Sequence, residues 1–314
     1  MTDKMIFEAV PNFSCGKEQA IVEQIACSLR SFSGAALLDY SADADHNRAV
    51  YTLAGESKPL TAALLEACRT ARDLIDLRDH QGTHPRIGAC DVLPIIPLQN
   101  ATMEQAANLA RTVGQKIFSE LKIPIYLYGE AAEQPKHYNL ADCRRGGFEG
   151  LSERLAAGDG PDIGSAAHST AGATAVGARF FLVAYNINLQ GAGLDTARQI
   201  AKKIRSSSGG LPQLKALGMY LPQQGTAQVS MNLTDYRVTG LKTVFDLVNQ
   251  LAAASGASIK ESELIGLLPQ EALKGVTPEY LMIKAWHEGR ILENALKTHF
   301  NGGLKDGKGC GFAK

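Results

Sequence analysis

Residues 35–39, Ala-Ala-Leu-Leu-Asp, and residues 48–54, Arg-Ala-Val-Tyr-Thr-Leu-Ala, are two short apolar runs separated by a polar stretch at 41–47. Each suits a pleated, half-buried surface, so the pair reads as two strands in succession. Helical patterns flank them. Ile21, Ile25 and Leu29 keep helical spacing over about 17–31, and a longer pattern runs over about 58–78. Further out lie a strand at 5–10 (Met-Ile-Phe-Glu-Ala-Val), ended by Pro11-Asn12-Phe13-Ser14, and another strand near 91–96. Two adjacent strands between two helices turn a plain crossover unit into βαββαβ, the split-βαβ or ferredoxin-like arrangement. A helix at 103–121 and a strand at 124–128 extend this half.

Residues 130–172 are irregular, punctuated by Gly146-Gly147, Gly158, Gly160-Pro161, Gly164 and Gly172, and read as a linker or a long ordered loop. The pattern then repeats. Strands are expected at 180–189, 215–221, 226–233 and 261–268, with helices at 194–206 and 240–255. The expected fold is α+β, with two tandem ferredoxin-like subdomains at 1–178 and 179–300 and a ligand cleft between them. A last helix is expected over about 278–299, and 301–314 reads as a flexible tail.

The 314 residues are 45% hydrophobic and 20% charged, the composition of a globular chain rather than a disordered one. A net charge of +0 gives no global field for nucleic acid, so an anionic ligand needs a local pocket. No run reaches transmembrane length and the N-terminus lacks a signal-peptide core, which points to the cytoplasm and away from membranes. Cys15, Cys27, Cys68, Cys90, Cys143 and Cys310 form no CxxC pair, so buried thiols are expected rather than disulfides or a zinc knuckle.

Chemistry concentrates in residues 79–98, where His80, His84, Arg86 and Asp91 sit between a helix and an apolar run. Gly82 and Pro85 bracket His84, so it belongs to a loop at the mouth of a strand, where an imidazole can titrate near neutral pH and approach a ligand. A surface or helix-capping histidine is the plainer alternative. Other signals fail on inspection. Gly302-x4-Gly307-Lys308-Gly309 lacks the Ser/Thr of a P-loop and the helix that should follow. Gly191-x-Gly193 lacks a third glycine. Asp43-x-Asp45-x-Asn47 starts like a calcium loop, but Arg48 and Ala54 occupy the glycine and glutamate positions. His80-x3-His84 has Gln81 where a zincin has glutamate, so no metal is expected. Lys202, Lys203 and Arg205 read as a solvated helix face.

Several long segments carry a resemblance. Val10-Pro11-Asn12-Phe13-Ser14, Asn47-Arg48-x-Val50-Tyr51-Thr52, His84-Pro85-Arg86-x-Gly88-Ala89-x-Asp91-Val92 and Tyr126–Ala132 are four of them. Gly172-Ala173-Thr174-Ala175-x-Gly177-Ala178-Arg179, Tyr185–Leu189, Ala227-Gln228-Val229-Ser230-x-Asn232-Leu233 and Leu264–Pro269 continue the match. Over about 6–300 the chain resembles the glutamate formimidoyltransferase family, in a stand-alone form without the fused cyclodeaminase domain. The resemblance implies transfer of the formimino group from N-formimino-L-glutamate to N5 of tetrahydrofolate, in histidine breakdown and one-carbon metabolism. It also implies that the sheets of the two subdomains face each other across the ligand cleft, and a homodimer with tetrahydrofolate as co-substrate. His84 matches the family's catalytic histidine, and Gly164–Gly172, with Ala173 and Thr174 following, matches the folate-contacting loop. Gly164, Ser165, His168, Ser169, Thr170 and Gly172 are the candidates there, in a loop one residue shorter than in animal enzymes.

The residues suit that chemistry. The folate amine attacks the formimino carbon, and a proton must leave N5 and reach the departing glutamate nitrogen, a task for a group such as histidine. Asp39, at the end of its strand, either orients the imidazole or amidine or caps a turn. Asn12 either bonds the pterin or makes an Asx turn. Arg48 and Arg86 pair either with substrate carboxylates or with carboxylates of the chain itself. The glycine-rich run 172–178 offers backbone N–H groups to a carboxylate. Two alternatives share the site: formyl transfer between 5-formyltetrahydrofolate and glutamate, and folate binding without turnover.

Overall fold

The computed structural model describes residues 4–300. Contacts divide this stretch into one unit up to Arg179 and a second over Phe180–Thr298. The first unit is a seven-stranded sheet with three long helices on one face and two short ones on the other. Strands β1 (Ile6–Ala9) and β2 (Asn12–Phe13) are two pieces of one line. Helix α1 (Gln19–Arg30) follows, then β3 (Ala35–Asp43), β4 (Arg48–Gly55), helix α2 (Ser57–Leu74) and β5 (Cys90–Gln99). Both β1 and β2 pair antiparallel with β4 and β5, and β3 pairs with the far side of β4. The sequence suggests a strand ended by Pro11, but the ladder resumes beyond it. Proline removes one donor only: its carbonyl still accepts from Tyr51 N at 3.1 Å, and Val10 N donates to Pro94 O at 3.2 Å. Strand β3 also runs to Asp43, so Asp39 lies mid-strand opposite Thr52 and caps no turn.

Alternation along β4 sets the two faces. Ala49, Tyr51 and Leu53 point into the core with Phe13, Ile25, Leu29, Leu60 and Leu64, leaving Arg48, Val50 and Thr52 on the other face. Tyr51 is fully buried, donates to Val22 O at 2.9 Å and meets the Phe13 ring edge-on at 5.5 Å. Such an aromatic pair adds about 0.5–1.5 kcal/mol beyond its buried area.

Helix α3 (Met103–Leu121) starts from a capping box in which Thr102 and Gln105 satisfy each other's backbone N–H groups. Strand β6 (Ile125–Gly129), the short helices α4 (Leu140–Cys143) and α5 (Leu151–Ala156), and β7 (Thr174–Ala178) complete the unit. Strand β7 lies between β5 and β6, parallel to both. This corrects the expectation for 172–178. The segment is a buried sheet strand, and Ala173 N and Thr174 N donate to Ile87 O and Pro124 O rather than to a ligand.

Glu8 lies between Phe7 and Ala9, which join the helix-side core, so its side chain points to the opposite face. It is 1% exposed, and burial pushes its carboxyl up to about 8 against the lowering pull of Arg179. A carboxyl raised in the fold binds its proton more tightly than in the unfolded chain. Its stabilisation is full below about pH 4.5 and is lost as pH rises through about 8. The urea midpoint should therefore fall over that window, and Glu8→Gln should flatten the fall; an unchanged slope would reject this account.

The second unit runs β8 (Val183–Gln190), α6 (Leu194–Ile204), β9 (Leu214–Leu221), β10 (Thr226–Leu233), α7 (Leu241–Ala254) and β11 (Ser258–Ile265). Its sheet order, β11-β8-β10-β9 and all antiparallel, is the fourth-first-third-second order of a split βαβ unit. The helix expected over 278–299 forms only from 292, as α8 (Leu292–Phe300). Met282 and Ala285 take positive φ angles, and Ser262 N donates to Met282 O, so this stretch runs beside β11 instead of coiling. The expected tail at 301–314 lies outside the described residues. Among those described, Cys15, Cys68, Cys90 and Cys143 are buried free thiols, and no helix is long and apolar enough to cross a membrane.

Candidate active site

The loop that carries His84 is fastened to the β3–β4 turn. Asn47, at φ 48°, accepts from Gly16 N at 2.9 Å and Lys17 N at 3.1 Å, and its Nδ2 donates to Gln81 O at 3.0 Å. Lys17 Nζ also donates to Gln81 O, and Thr83 N donates to Asp45 O at 3.2 Å. A side chain at position 82 would place its Cβ 2.3 Å from His46 O, so only glycine permits this approach. The acidic run that imitates a calcium loop is the hairpin turn itself, with Asp43 Oδ1 accepting from His46 N at 2.7 Å. No metal-binding cluster of His, Cys, Asp or Glu occurs among the described residues.

The docked loop and the outer face of β4 line a small hollow that opens to solvent. Arg48 projects into it. Its Nε donates to Asn12 Oδ1 at 2.8 Å, Nη2 donates to the same oxygen, and Asn12 is held in turn by donating to Val10 O at 2.6 Å. Arg48 Nη1 lies 2.5 Å from His84 Nδ1 and 2.6 Å from Nε2, and Nδ1 lies 2.7 Å from Pro85 O. A guanidinium only donates and a carbonyl only accepts. The ring proton is therefore on Nδ1, bonded to Pro85 O, and Nε2 carries the lone pair. Burial and the Arg48 and Arg144 guanidiniums hold His84 far below the ordinary histidine range. This shift runs against the expectation of titration near neutral pH and favours the neutral ring.

Among the described residues, Asp91 is the only carboxylate lining the hollow. It is 2% exposed, accepts from Ile87 N at 2.9 Å, and pairs with Arg144 at 2.5 Å and Arg48 at 3.5 Å. Two guanidiniums thus share one carboxylate, leaving an excess positive charge. Burial and Arg144 pull Arg48 down to about 9, which still leaves it cationic at neutral pH. Arg86, by contrast, is engaged within the chain. It forks onto Glu149 at 2.7 and 2.9 Å, and its Nε donates to His80 Nδ1 at 2.9 Å. His80 Nε2 in turn donates to Asn47 O at 3.0 Å, so His80 fastens the loop.

Asn12, Arg48, His84 and Asp91 therefore meet, Arg86 lines the same hollow while bound to Glu149, and the remaining candidates lie elsewhere. Asp39 is on the same sheet face but does not line the hollow. In the 164–172 loop, His168 Nδ1 accepts from Ala171 N at 3.1 Å, and the loop is bound by Leu77 N donating to Thr170 O and Ala89 N to Ala171 O. Gly164 packs against Phe118, Ser165 and Ser169 are exposed, and Gly172 pairs with Gly88. Ala173 and Thr174 are buried, and Thr174 donates to Cys90 O at 2.7 Å. Sequence reasoning missed Arg144 and Glu8. Arg144 follows a turn of helix in the irregular stretch, 53 residues from its partner Asp91, with no local signal.

Two family descriptions match the chain: the N-terminal subdomain of the formiminotransferase domain over residues 6–179, and the formiminotransferase domain over 184–298. The chain belongs to the formiminotransferase family. It is 42% identical to glutamate formimidoyltransferase of Streptococcus pyogenes serotype M1, over 93% of this chain and 98% of the relative. The enzyme of that name from Thermoplasma acidophilum is 39% identical, over 94% and 99%. Rat formimidoyltransferase-cyclodeaminase is 37% identical, over 93% of this chain but 56% of its own length. Within this family member, the hollow combines a neutral imidazole, an excess of guanidinium charge and a half-buried setting. Such a site attracts an anionic small molecule and supplies a nitrogen lone pair beside it.

Proposed function

We propose that this chain is a glutamate formimidoyltransferase, moving the formimino group of N-formimino-L-glutamate to N5 of tetrahydrofolate and releasing L-glutamate. The near full-length match to two enzymes of that name carries the reading. In the reaction, the N5 lone pair adds to the formimino carbon and gives a tetrahedral adduct. His84 Nε2 takes the proton from N5 and returns it to the glutamate nitrogen as the carbon–nitrogen bond breaks, so the ring ends as it began. Arg48 and Arg144 supply the charge that holds a substrate carboxylate, with Asn12 and Asp91 fixing Arg48. Tetrahydrofolate is a co-substrate, and the Gly164–Thr174 segment with Asp39 and Arg86 stands as the candidate folate-contacting set. The same reading describes a cytoplasmic homodimer without metal, acting on histidine-derived and one-carbon metabolites. An even balance of 32 acidic and 32 basic residues supports a small-molecule rather than a nucleic-acid partner.

Purified protein given N-formimino-L-glutamate and tetrahydrofolate should yield 5-formiminotetrahydrofolate and glutamate in equal amounts by mass spectrometry. Turnover only of 5-formyltetrahydrofolate with glutamate would instead identify a formyl transferase, and tight folate binding without product would identify a carrier.

A further inference from the structure

Arg86 carries a carboxylate on a guanidinium that is fastened independently of it. Its Nε donates to His80 Nδ1 at 2.9 Å and Nη2 donates to the His80 carbonyl at 3.1 Å, so one side of the planar fork is tied to the loop. His80 is itself tied to Asn47 O at 3.0 Å. The other side receives Glu149, with Nη1 donating to Oε2 at 2.9 Å and Nη2 to Oε1 at 2.7 Å, the two-bond pairing of a guanidinium with a carboxylate. The two partners are held unequally. The Arg86 side chain is 14% exposed and lines the hollow, whereas that of Glu149 is 66% exposed. An ion pair to so exposed a carboxylate contributes little, because water competes for the acid and ordering a long side chain costs entropy. The backbone beneath Glu149 is secured separately. Phe148 N donates to Arg86 O at 2.9 Å, and Gly146 and Gly147, at φ 77° and 64°, make the turn that brings the chain there. Only the Glu149 side chain has to swing for the fork to be free.

We propose that the Arg86 fork is a carboxylate seat beside the hollow, and that Glu149 fills it in the free protein as a built-in competitor for the glutamyl carboxylate of a ligand. The Glu149 side chain ends in the same group as L-glutamate, so the seat already holds the chemistry it is to recognise. An incoming carboxylate takes over both bonds to Arg86 and releases Glu149 to water, while His80 keeps the guanidinium in place. Glu149 thereby sets ligand affinity and takes no part in proton transfer. Two compounds of the proposed reaction carry such a group, N-formimino-L-glutamate and the glutamyl tail of tetrahydrofolate. This deepens the proposed function and rests on it for the identity of the ligand.

Isothermal titration of the full chain tests the idea by the sign of a change. Glu149→Gln keeps the shape of the side chain and removes the competing charge, so L-glutamate, 5-formyltetrahydrofolate or both should bind about two- to fivefold more tightly than to the parent. A Glu149 that only braces its loop would give unchanged or weaker binding, which overturns the proposal. 5-Formyltetrahydropteroate, which lacks the glutamyl group, separates the two sources. Tightening confined to L-glutamate seats the formimino donor, and tightening of the folate without the pteroate seats the folate tail. Equal tightening of folate and pteroate overturns a carboxylate seat. Arg86→Met should weaken the same ligand by about tenfold or more and erase the effect of Glu149→Gln in the double variant. An effect that persists without Arg86 overturns the proposal too, and should Arg86→Met not fold, the sign of the Glu149→Gln change decides unaided. A folded parent that binds none of the three compounds overturns the reading of function, and the ligand assignment with it.

Discussion

His84→Ala is expected to lower turnover by about 10²–10⁴-fold, or roughly 3–5 kcal/mol at the transition state, while folate affinity stays within a few-fold. The loss is confined to turnover because the guanidiniums proposed to hold the substrate are untouched. The pH behaviour follows from the downward shift of the imidazole. With the neutral ring favoured, the base contributes no limb near neutrality to kcat/KM of the parent. His80→Ala is the informative companion. His80 bridges Arg86 and the Asn47 carbonyl, so its removal loosens the loop and should cost tenfold or less by slackening the His84 geometry. Steady-state kinetics of the two variants separate the roles, and a His84→Ala enzyme within tenfold of the parent would remove His84 from the chemistry.

Asp91→Ala is expected to destabilise the fold by about 3–5 kcal/mol, the usual result of deleting one partner of a buried ion pair. The deletion leaves Arg48 and Arg144 facing each other without a carboxylate and strips Ile87 N of its acceptor. Asp91→Asn, which keeps an acceptor for Ile87 N, should lose less. Urea denaturation of both variants provides the check. Equal loss in the two would mean that charge, not the backbone hydrogen bond, dominates, and a loss under 1 kcal/mol for Asp91→Ala would show that solvent already screens the guanidiniums.

What sequence reasoning could reach depended on how local each signal was. The βαββαβ order was legible because hydrophobic period and turn residues are local, and the range read for α3 matches the helix at both ends. Pro11 misled, because a proline deletes one donor while the partner strands hold the rest of the ladder. Strand β7 was hidden by its glycine and alanine content, which suits close packing between two parallel neighbours rather than an exposed loop. In the site, His84 and Arg48 stood out by residue type, but their contact across 36 residues, and the arrival of Arg144 beside Asp91, are products of topology. The shift of the imidazole was illegible for the same reason: it depends on which charges fold next to it.

The clasp at Asn47 carries a kinetic consequence. It joins three stretches distant in sequence, the start of the first helix region at Gly16 and Lys17, the hairpin turn, and the segment around Gln81 and Thr83. The Gly16 and Lys17 bonds need the hairpin closed, and those of Gln81 and Thr83 also need the strand leading to Cys90 docked, so the loop is assembled late and released early. Amide hydrogens of Gly16, Lys17 and Thr83 should therefore exchange together, through one opening event smaller than global unfolding, rather than as independent fraying ends. The catalytic loop and the hairpin would then behave as a single cooperative unit whose lifetime sets how long the base stays in register.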